Sequence, residues 1–161
     1  MDGKDYHFLT ADDFRARAKS GDFLEQAEVH GNHYGSLKSE VVEKLQTGHD
    51  VLLAIDVQGA AAVRRQASRD AFLKAALVEV FIVPANPTVL ARRLQRRNTD
   101  PPSVIKKRLA TARHEIAHWK HYDYIIVSGT RAADRRRMLA IYEAEKLRRS
   151  RFAPPDSFAG K

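Results

Sequence analysis

The hydrophobic pattern of the chain centres on one apolar run, Val51–Ile55, which leads directly into Asp56, Val57, Gln58 and Gly59. An apolar run of this length before a turn signal and a helical pattern predicts a buried parallel strand that feeds a helix. Open α/β sheets bind their ligands at the carboxyl ends of such strands. Asp56 is therefore a candidate binding residue; the alternative is that its side chain only caps the next helix.

Residues 1–47, before this run, form a small mixed module in our interpretation. Thr10 and Asp13 are a capping pair, Gly21 is a helix terminator, and Ser36 is expected to cap a helix. The predicted elements are a strand at 6–9, a helix at 10–19, a strand at 23–29, a turn at 31–35 and a helix at 37–45.

From residue 50 onward, predicted strands alternate with predicted helices, a pattern typical of a parallel sheet covered on both faces. Asn86 and Pro87 predict a helix start. The elements are helices at about 59–66, from 87, from 103 and at 132–149, and further strands at 77–83 and 124–127. We expect a core domain at 48–152 with an arginine-rich lid at about 96–103, and a disordered tail at 153–161.

Composition narrows the class of protein. The chain has 161 residues, of which 43% are hydrophobic, and no cysteine, so a globular domain without disulfides or thiolate metal sites is expected. No apolar run reaches membrane-spanning length, and we expect a cytoplasmic protein without a membrane partner. The net charge of +8 fits either nucleic acid or a phosphate-rich small ligand.

Two carboxylates and several hydroxyl groups make a particular kind of candidate pocket. Glu25, Tyr34 and Ser36 lie close together in sequence, and Tyr6 and Asp56 are added from neighbouring predicted elements. Guanine presents adjacent N1–H and N2–H₂ donors that match the two oxygens of a carboxylate, whereas adenine has an acceptor at N1. Tyrosine hydroxyls can donate to phosphate. The pattern suits a guanine nucleotide without establishing it.

A series of motifs then resembles the guanylate kinase family in order and spacing. They are Gly3-x-x-Tyr6-x-Phe8-Leu9, Phe23-Leu24-Glu25, Gly31-Asn32-His33-Tyr34-Gly35, Ile55-Asp56-Val57-Gln58-Gly59, Arg93, Arg97-Asn98-Thr99-Asp100, Ile105-x-x-Arg108-Leu109 and Tyr122 to Val127. The resemblance covers the chain from Met1 to about Arg149. It implies an α/β fold: a three-layer, P-loop-kinase-like parallel sheet with a small mixed α+β GMP-binding insertion and an arginine-rich lid.

The resemblance also implies an activity, transfer of the γ-phosphoryl group of ATP to GMP, with ATP as co-substrate together with Mg²⁺. It assigns the guanine base to Glu25, Ser36 and Asp56, and the GMP phosphate to Tyr6 and Tyr34. The lid arginines would close over the phosphates; these are Arg93, Arg97 and Arg108. Positive charge placed on developing negative oxygens is what phosphoryl transfer requires. Tyr34 as a packing residue and Arg93 as a solvated helix residue are the alternatives.

The sequence also departs from the family pattern. The phosphate loop G-x-x-x-x-G-K-[ST] does not occur in it, and the family's first strand and first helix have no counterpart. We expect an N-terminal truncation, which in-frame upstream sequence would support and an upstream stop codon would contradict, and we expect this chain to be poorly stable and impaired in catalysis. Ala54, Asn98 and Ser128 replace an acidic residue, a glycine and an asparagine of the family, respectively.

Three other readings remain open at this stage. His114-Glu115-Ile116-Ala117-His118 matches the zinc hydrolase signature H-E-x-x-H on a predicted helix, with Glu143 or Glu145 as a conceivable third ligand, although Ile116 fits an apolar helix face. The absent phosphate loop favours a catalytically inactive module that binds GMP or protein. Basic runs such as 135–137 are compatible with RNA, but no aromatic residues are interleaved with them.

Overall fold

The computed structural model describes residues 6–29, 31–96 and 101–151. The described residues up to Leu77 form one compact unit, called unit 1 below, and those from Val78 onward form unit 2. This division by contacts falls later in the chain than the functional boundary expected near residue 47, which stays a prediction. In the described ranges, no helix has both the length and the apolar character required to cross a membrane.

Unit 1 combines four helices with one antiparallel strand pair in the described residues. Its elements are α1 (Ala11–Ser20), β1 (Phe23–Val29), β2 (Asn32–Leu37), α2 (Lys38–Gln46), α3 (Val57–Ala67) and α4 (Ala71–Ala76). The predicted capping of α1 is confirmed: Thr10 Oγ1 accepts a hydrogen bond from the Asp13 N–H at 3.1 Å, and Gly21 ends the helix with φ of 78°.

The pairing of β1 with β2 contains one irregularity that decides which side chains are buried. Phe23 faces Leu37 and Glu25 faces Ser36, so Leu24 is an extra residue in β1, as in a β-bulge. The bulge breaks the usual alternation, and Phe23, Leu24 and Glu25 are all buried. Leu24 joins the core of unit 1, whose other buried members are Val63, Ala67 and Leu73.

The prediction of a buried strand at 51–55 is wrong for this structure. Residues 51–56 have neither helix nor strand assignment, and Leu52 is 84% exposed, although Leu53 packs against the core of unit 1. A strand is defined by hydrogen bonds to a neighbour, and in the described ranges none pairs with this run. The helix expected after it is present as α3, which begins two residues earlier than predicted.

Two local predictions in unit 1 also need correction. Ser36 does not cap α2, because it lies within β2; the capping position belongs to Leu37, whose side chain makes no capping hydrogen bond. Helix α4 was not predicted at all. Asp70 starts it by accepting hydrogen bonds from the N–H groups of Phe72 and Leu73, at 3.0 and 3.2 Å.

Unit 2 is built on a parallel strand pair with helices between the strands. Its elements are β3 (Val80–Pro84), α5 (Pro87–Arg96), α6 (Pro102–Ile116), a 3₁₀ helix (Ala117–His121), β4 (Tyr124–Ser128) and α7 (Arg131–Lys146). The two strands pair in register from Val80 with Tyr124 to Pro84 with Ser128. The parallel direction agrees with the alternating pattern, while the three-layer arrangement stays a prediction.

The side chain of Ile126 is the largest that is fully buried among the described residues, and α7 packs against the strand that carries it. Glu145, on α7, is buried as well and accepts a hydrogen bond from the Tyr124 hydroxyl. That bond is the largest of the effects that raise the pKa of Tyr124. The start of β4 is thus fixed against α7, and Ser128 is the last residue of the strand, at its carboxyl end.

Candidate functional site

A buried carboxylate paired with a hydroxyl group is the centre of the candidate site in unit 1. Glu25 is 8% exposed, and its Oε1 accepts a hydrogen bond of 2.7 Å from Ser36 Oγ. The two residues are direct partners across β1 and β2, so their side chains lie on the same face of the ladder. Buried carboxylates need such partners, because an unpaired one is costly.

The second oxygen of Glu25 points towards the start of α3. A methyl group built on Gly59 would lie 3.2 Å from Glu25 Oε2 and 3.1 Å from Ile55 Cβ, so the helix approaches the carboxylate as closely as a glycine permits. Within the described part of the chain, Oε2 has no hydrogen-bond donor. One oxygen of this buried group therefore remains able to accept from a ligand.

Asp56 has the capping role that was the alternative to binding. Its Oδ1 accepts hydrogen bonds from the N–H groups of Gln58 at 3.0 Å and Gly59 at 2.8 Å, which fixes the first turn of α3. The residue is exposed, and both hydrogen bonds use the same oxygen. Capping and ligand binding are thus compatible, because Oδ2 takes no part in the cap.

Tyr6 and Tyr34 form an aromatic pair in the same unit. Their ring centroids are 6.4 Å apart in an edge-to-face arrangement, and Tyr6 also contacts Phe8 at 6.1 Å. Tyr34 is 46% exposed and Tyr6 is 59% exposed, so neither ring is a core packing residue. Both hydroxyl groups belong to side chains with free access to solvent.

Gly35, on β2, lies where β1 leaves no room for a side chain. A Cβ atom at this position would lie 2.8 Å from Phe23 Cδ1 and 3.1 Å from the Glu25 carbonyl oxygen. Phe23 in turn stacks on Phe14 with centroids 4.6 Å apart, which limits how far its ring can move. Glycine at 35 therefore permits the close strand approach on which the Glu25–Ser36 bond depends.

The five predicted residues of unit 1 fall into two sets of contacts. Glu25 and Asp56 lie at the start of α3, with Ser36 bonded to Glu25, whereas Tyr6 and Tyr34 contact each other. A cavity of about 360 Å³ in unit 1 lies next to a different set of side chains, which sequence reasoning did not single out. Its lining includes Phe14, Arg15, Gln26, Glu28 and His33.

Arg93 is the centre of a second polar cluster, in unit 2. Its Nη1 donates to Ser128 Oγ at 2.9 Å, and its Nη2 donates to the carbonyl oxygens of Gly129 at 3.0 Å and Ser128 at 3.5 Å. Arg93 is an exposed residue of α5, but its guanidinium group is bonded to the protein as well as open to solvent. The guanidinium group is held at the carboxyl end of β4.

Asp134 completes this cluster, and sequence reasoning missed it. Ser128 Oγ donates to its Oδ2 at 2.6 Å, the Gly129 N–H donates to its Oδ1 at 2.9 Å, and Arg137 Nη1 approaches Oδ1 at 3.3 Å. The Ser128 hydroxyl, followed by the Gly129 N–H, holds the pKa of Asp134 below its usual range. The only sequence signal was an acidic residue in the first turn of a helix, which is common.

The structure gives less information on the surroundings of the other two predicted arginines, Arg97 and Arg108. Arg108 lies on α6, which packs against α5, the helix that carries Arg93. Arg97 lies outside the described residues. A cavity of about 590 Å³ opens beside the Arg93 cluster, and Arg131, Arg135 and Met138 contribute to its lining. Three arginines and one carboxylate, that of Asp134, therefore line a space large enough for a small ligand.

The H-E-x-x-H segment does not lie on one continuous α-helix. Helix α6 ends at Ile116, and the 3₁₀ helix begins at Ala117, so His114 and His118 are in different helical geometries. Glu145, a conceivable third ligand, is occupied by Tyr124, Arg148 and Arg151. The described ranges contain no group of three or more histidine, aspartate or glutamate side chains able to hold a metal ion.

Comparisons with known proteins agree with one another. The family model described as guanylate kinase matches residues 1–132. The guanylate kinase of Maricaulis maris is 41% identical over 94% of this chain and 66% of its own length; that of Cereibacter sphaeroides is 41% identical over 94% and 69%. The crystal structure of guanylate kinase from Anaplasma phagocytophilum superposes with a TM-score of 0.72 at 30% identity, over 94% of this chain and 70% of that one. The chain thus spans about two thirds of the length of these relatives.

Proposed function

Because this chain belongs to the guanylate kinase family, we propose that unit 1 binds GMP and that its residues serve the transfer of the γ-phosphoryl group of ATP to GMP. The observation that carries the proposal is the buried Glu25 carboxylate. One of its oxygens is bonded to Ser36, and the other has no donor among the described residues.

Guanine supplies the donors that this carboxylate lacks. Its N1–H and N2–H₂ groups can donate to Glu25 Oε2 and to the exposed Asp56, and Ser36 keeps Glu25 in a fixed orientation. Adenine would present its N1 acceptor to the same carboxylate, leaving Glu25 Oε2 without a donor. Such a mismatch costs about 1–3 kcal/mol, or about 5- to 150-fold in affinity.

The remaining residues are assigned to phosphate groups. Tyr6 and Tyr34 have exposed rings, and we assign their hydroxyl groups to the phosphate of GMP. Arg93, Arg97 and Arg108 are assigned the positive charge that phosphoryl transfer requires. Bidentate guanidinium groups suit phosphate oxygens particularly well.

Magnesium accompanies ATP in the family, but the residues of this chain do not fit a magnesium site. The phosphate-loop motif, whose Ser/Thr hydroxyl would hold the ion, does not occur in the sequence, and Ala54 stands where the family often has an acidic residue. No metal-binding group is found in the described ranges either. We therefore assign no step to a metal held by this chain, and we expect phosphoryl transfer by the 161-residue chain to be impaired.

Calorimetric titration of the 161-residue chain with GMP, and with AMP as the competitor base, tests the proposal. We expect selective binding of GMP, and a loss of that selectivity of about tenfold or more in Glu25→Gln. Glu28→Gln is the matched control, because it removes the same charge from an exposed position on the same strand. An unchanged GMP preference in Glu25→Gln would refute the role of Glu25, and no GMP binding by the unmodified chain would refute the proposal.

A binding module without catalysis is the second candidate function. The observation that favours it is the Glu25–Ser36 pair, which is assembled entirely from residues of unit 1. A coupled assay of ADP formation, run beside the calorimetry, separates the two candidates. GMP binding without any ADP formation supports the module, and GMP-dependent ADP formation supports the kinase.

A further inference from the structure

The direction of one hydroxyl hydrogen decides how Arg93 is held. Ser128 Oγ accepts from Arg93 Nη1 at 2.9 Å and lies 2.6 Å from Asp134 Oδ2. A serine hydroxyl has one hydrogen to donate and two lone pairs. Because a carboxylate is an acceptor only, the hydrogen must point to Asp134, and a lone pair is then directed to Arg93. Asp134 therefore orients the acceptor that Arg93 uses.

Asp134 also fixes the backbone acceptors of Arg93. Its Oδ1 accepts from the Gly129 N–H at 2.9 Å, in the turn whose carbonyl oxygens, those of Ser128 and Gly129, receive Arg93 Nη2. Ser128 is 7% exposed, so water has little access to replace the bonds made by its hydroxyl. All three acceptors of Arg93 thus belong to two residues that Asp134 holds.

The charges of the cluster leave Arg93 available to an anion. Arg137 Nη1 lies 3.3 Å from Asp134 Oδ1 and is its ion-pair partner, and Arg137 also donates to the Val127 carbonyl oxygen at 3.2 Å. Asp134 therefore shares its charge with Arg137, while Arg93 lines the 590 Å³ cavity together with Arg131 and Arg135. The net charge around this cavity is positive.

We propose that Asp134 is a positioning residue, which acts through Ser128 and Gly129 to hold the Arg93 guanidinium group in one orientation beside the cavity of unit 2. This inference rests on the proposed function in one respect: the ligand of Arg93 is taken to be the phosphate groups of a nucleotide. Asp134 also lines this cavity, but both of its oxygens are bonded within the protein, to the Ser128 hydroxyl and to the Gly129 N–H. Its contribution is that a ligand meets an arginine that has already been ordered.

The test compares two variants that weaken the same helix start. Asp134→Ala removes the positioning carboxylate, whereas Thr130→Ala removes the α7 cap, in which Thr130 Oγ1 accepts from the Ala133 N–H at 3.2 Å. The measurement is the NMR signal of the Arg93 Nη hydrogens, which is resolved only while rotation about Nε–Cζ is restricted. We expect restricted rotation in the unmodified chain and in Thr130→Ala, and free rotation in Asp134→Ala.

A second variant and a second measurement distinguish the positioning role of Asp134 from the phosphate-binding role of Arg93. Ser128→Ala removes the hydroxyl link without touching α7, and it should also release Arg93. Titration with ATP should require about 2- to 10-fold more nucleotide in Asp134→Ala, which is the ordering cost of one long side chain. Restricted rotation of Arg93 in both Asp134→Ala and Ser128→Ala would overturn the inference. Released rotation without any effect of ATP on Arg93 would support the positioning role and contradict the phosphate role.

Discussion

Each unit contains a serine hydroxyl that donates to a carboxylate, but the two carboxylates have different roles. In unit 1, Ser36 donates to Glu25 at 2.7 Å; in unit 2, Ser128 donates to Asp134 at 2.6 Å. The Glu25 pair leaves a carboxylate oxygen for a ligand to donate to. The Asp134 pair has its carboxylate bonded on both oxygens, and orders a neighbouring arginine instead.

The difference arises from where each pair lies in the fold. Glu25 and Ser36 face each other across an antiparallel ladder, where side chains of paired residues lie on the same face. Asp134 lies in the first turn of α7, where backbone N–H groups and Arg137 surround it. Glu25 thus keeps one oxygen for a ligand, whereas both oxygens of Asp134 are bonded within the protein.

The largest loss of stability is expected from Gly35→Ala, because this substitution disturbs the pairing of β1 with β2. The new methyl group would lie 2.8 Å from Phe23 Cδ1, and overpacking of this kind lowers the free energy of unfolding by up to about 3 kcal/mol. Urea unfolding followed by circular dichroism measures it. Gly129→Ala is the control, because its methyl group would meet only Arg137 Nη1 at 3.9 Å. Equal stability of the two variants would show that the ladder tolerates the added atom.

Ser36→Ala should cause the next largest loss of stability, and comparing it with Ser128→Ala tests whether the two serine–carboxylate pairs have different roles. It leaves the buried Glu25 without its donor, which lowers the free energy of unfolding by about 1–2 kcal/mol. GMP affinity should fall as well, since the carboxylate is no longer oriented. Ser128→Ala should affect GMP affinity less, because Ser128 takes no part in the hydrogen bond between Ser36 and Glu25. A loss of GMP affinity in Ser128→Ala alone would reverse the proposed assignment.

Sequence patterns predicted the helices of both units better than the strands. Local signals, such as the Thr10–Asp13 cap and Gly21, determine helix ends, and the structure confirms them. The run Val51–Ile55 reads as a buried strand because its residues are apolar, but strand formation depends on a neighbour that no local pattern specifies. Only Leu53 of that run packs against the core of unit 1.

The candidate sites show the same limit. Glu25 and Ser36 were predicted from the family resemblance, and their hydrogen bond depends on a ladder register shifted by the bulge at Leu24. Asp134 was missed because its importance arises from contacts with Ser128, six residues earlier, and through it with Arg93. Residues that act by holding another residue have no sequence motif of their own.

Substitutions of Asp56 should have smaller effects on stability, and they distinguish its role as a helix cap from its proposed role in GMP binding. Asp56→Ala removes the cap of α3 and should lower the free energy of unfolding by about 1 kcal/mol, whereas Asp56→Asn preserves an oxygen that caps about as well. Both variants lose the carboxylate and should bind GMP more weakly. Thermal unfolding and calorimetry together measure the two roles. Normal GMP affinity in Asp56→Asn would leave Asp56 with its capping role alone.

The smallest effect concerns the pKa of Asp134, which the Ser128 hydroxyl, then the Gly129 N–H, lower from the usual aspartate range. A lowered pKa means that the charged form stabilises the folded state fully above the ordinary aspartate pKa, and that this contribution is lost as the pH falls through the lowered value. Ser128→Ala should therefore raise the pKa of Asp134 towards its usual range without reaching it, since the Gly129 N–H and Arg137 remain.

A carboxyl-carbon NMR titration of the folded chain measures this pKa directly. Ser68→Ala is the control, because Ser68 Oγ donates to the Arg65 carbonyl oxygen in unit 1. An unchanged titration of Asp134 in Ser128→Ala would mean that the hydroxyl does not donate to the carboxylate. The Ser128 hydroxyl would then not link Asp134 to Arg93, and the resemblance between the two serine–carboxylate pairs would be lost.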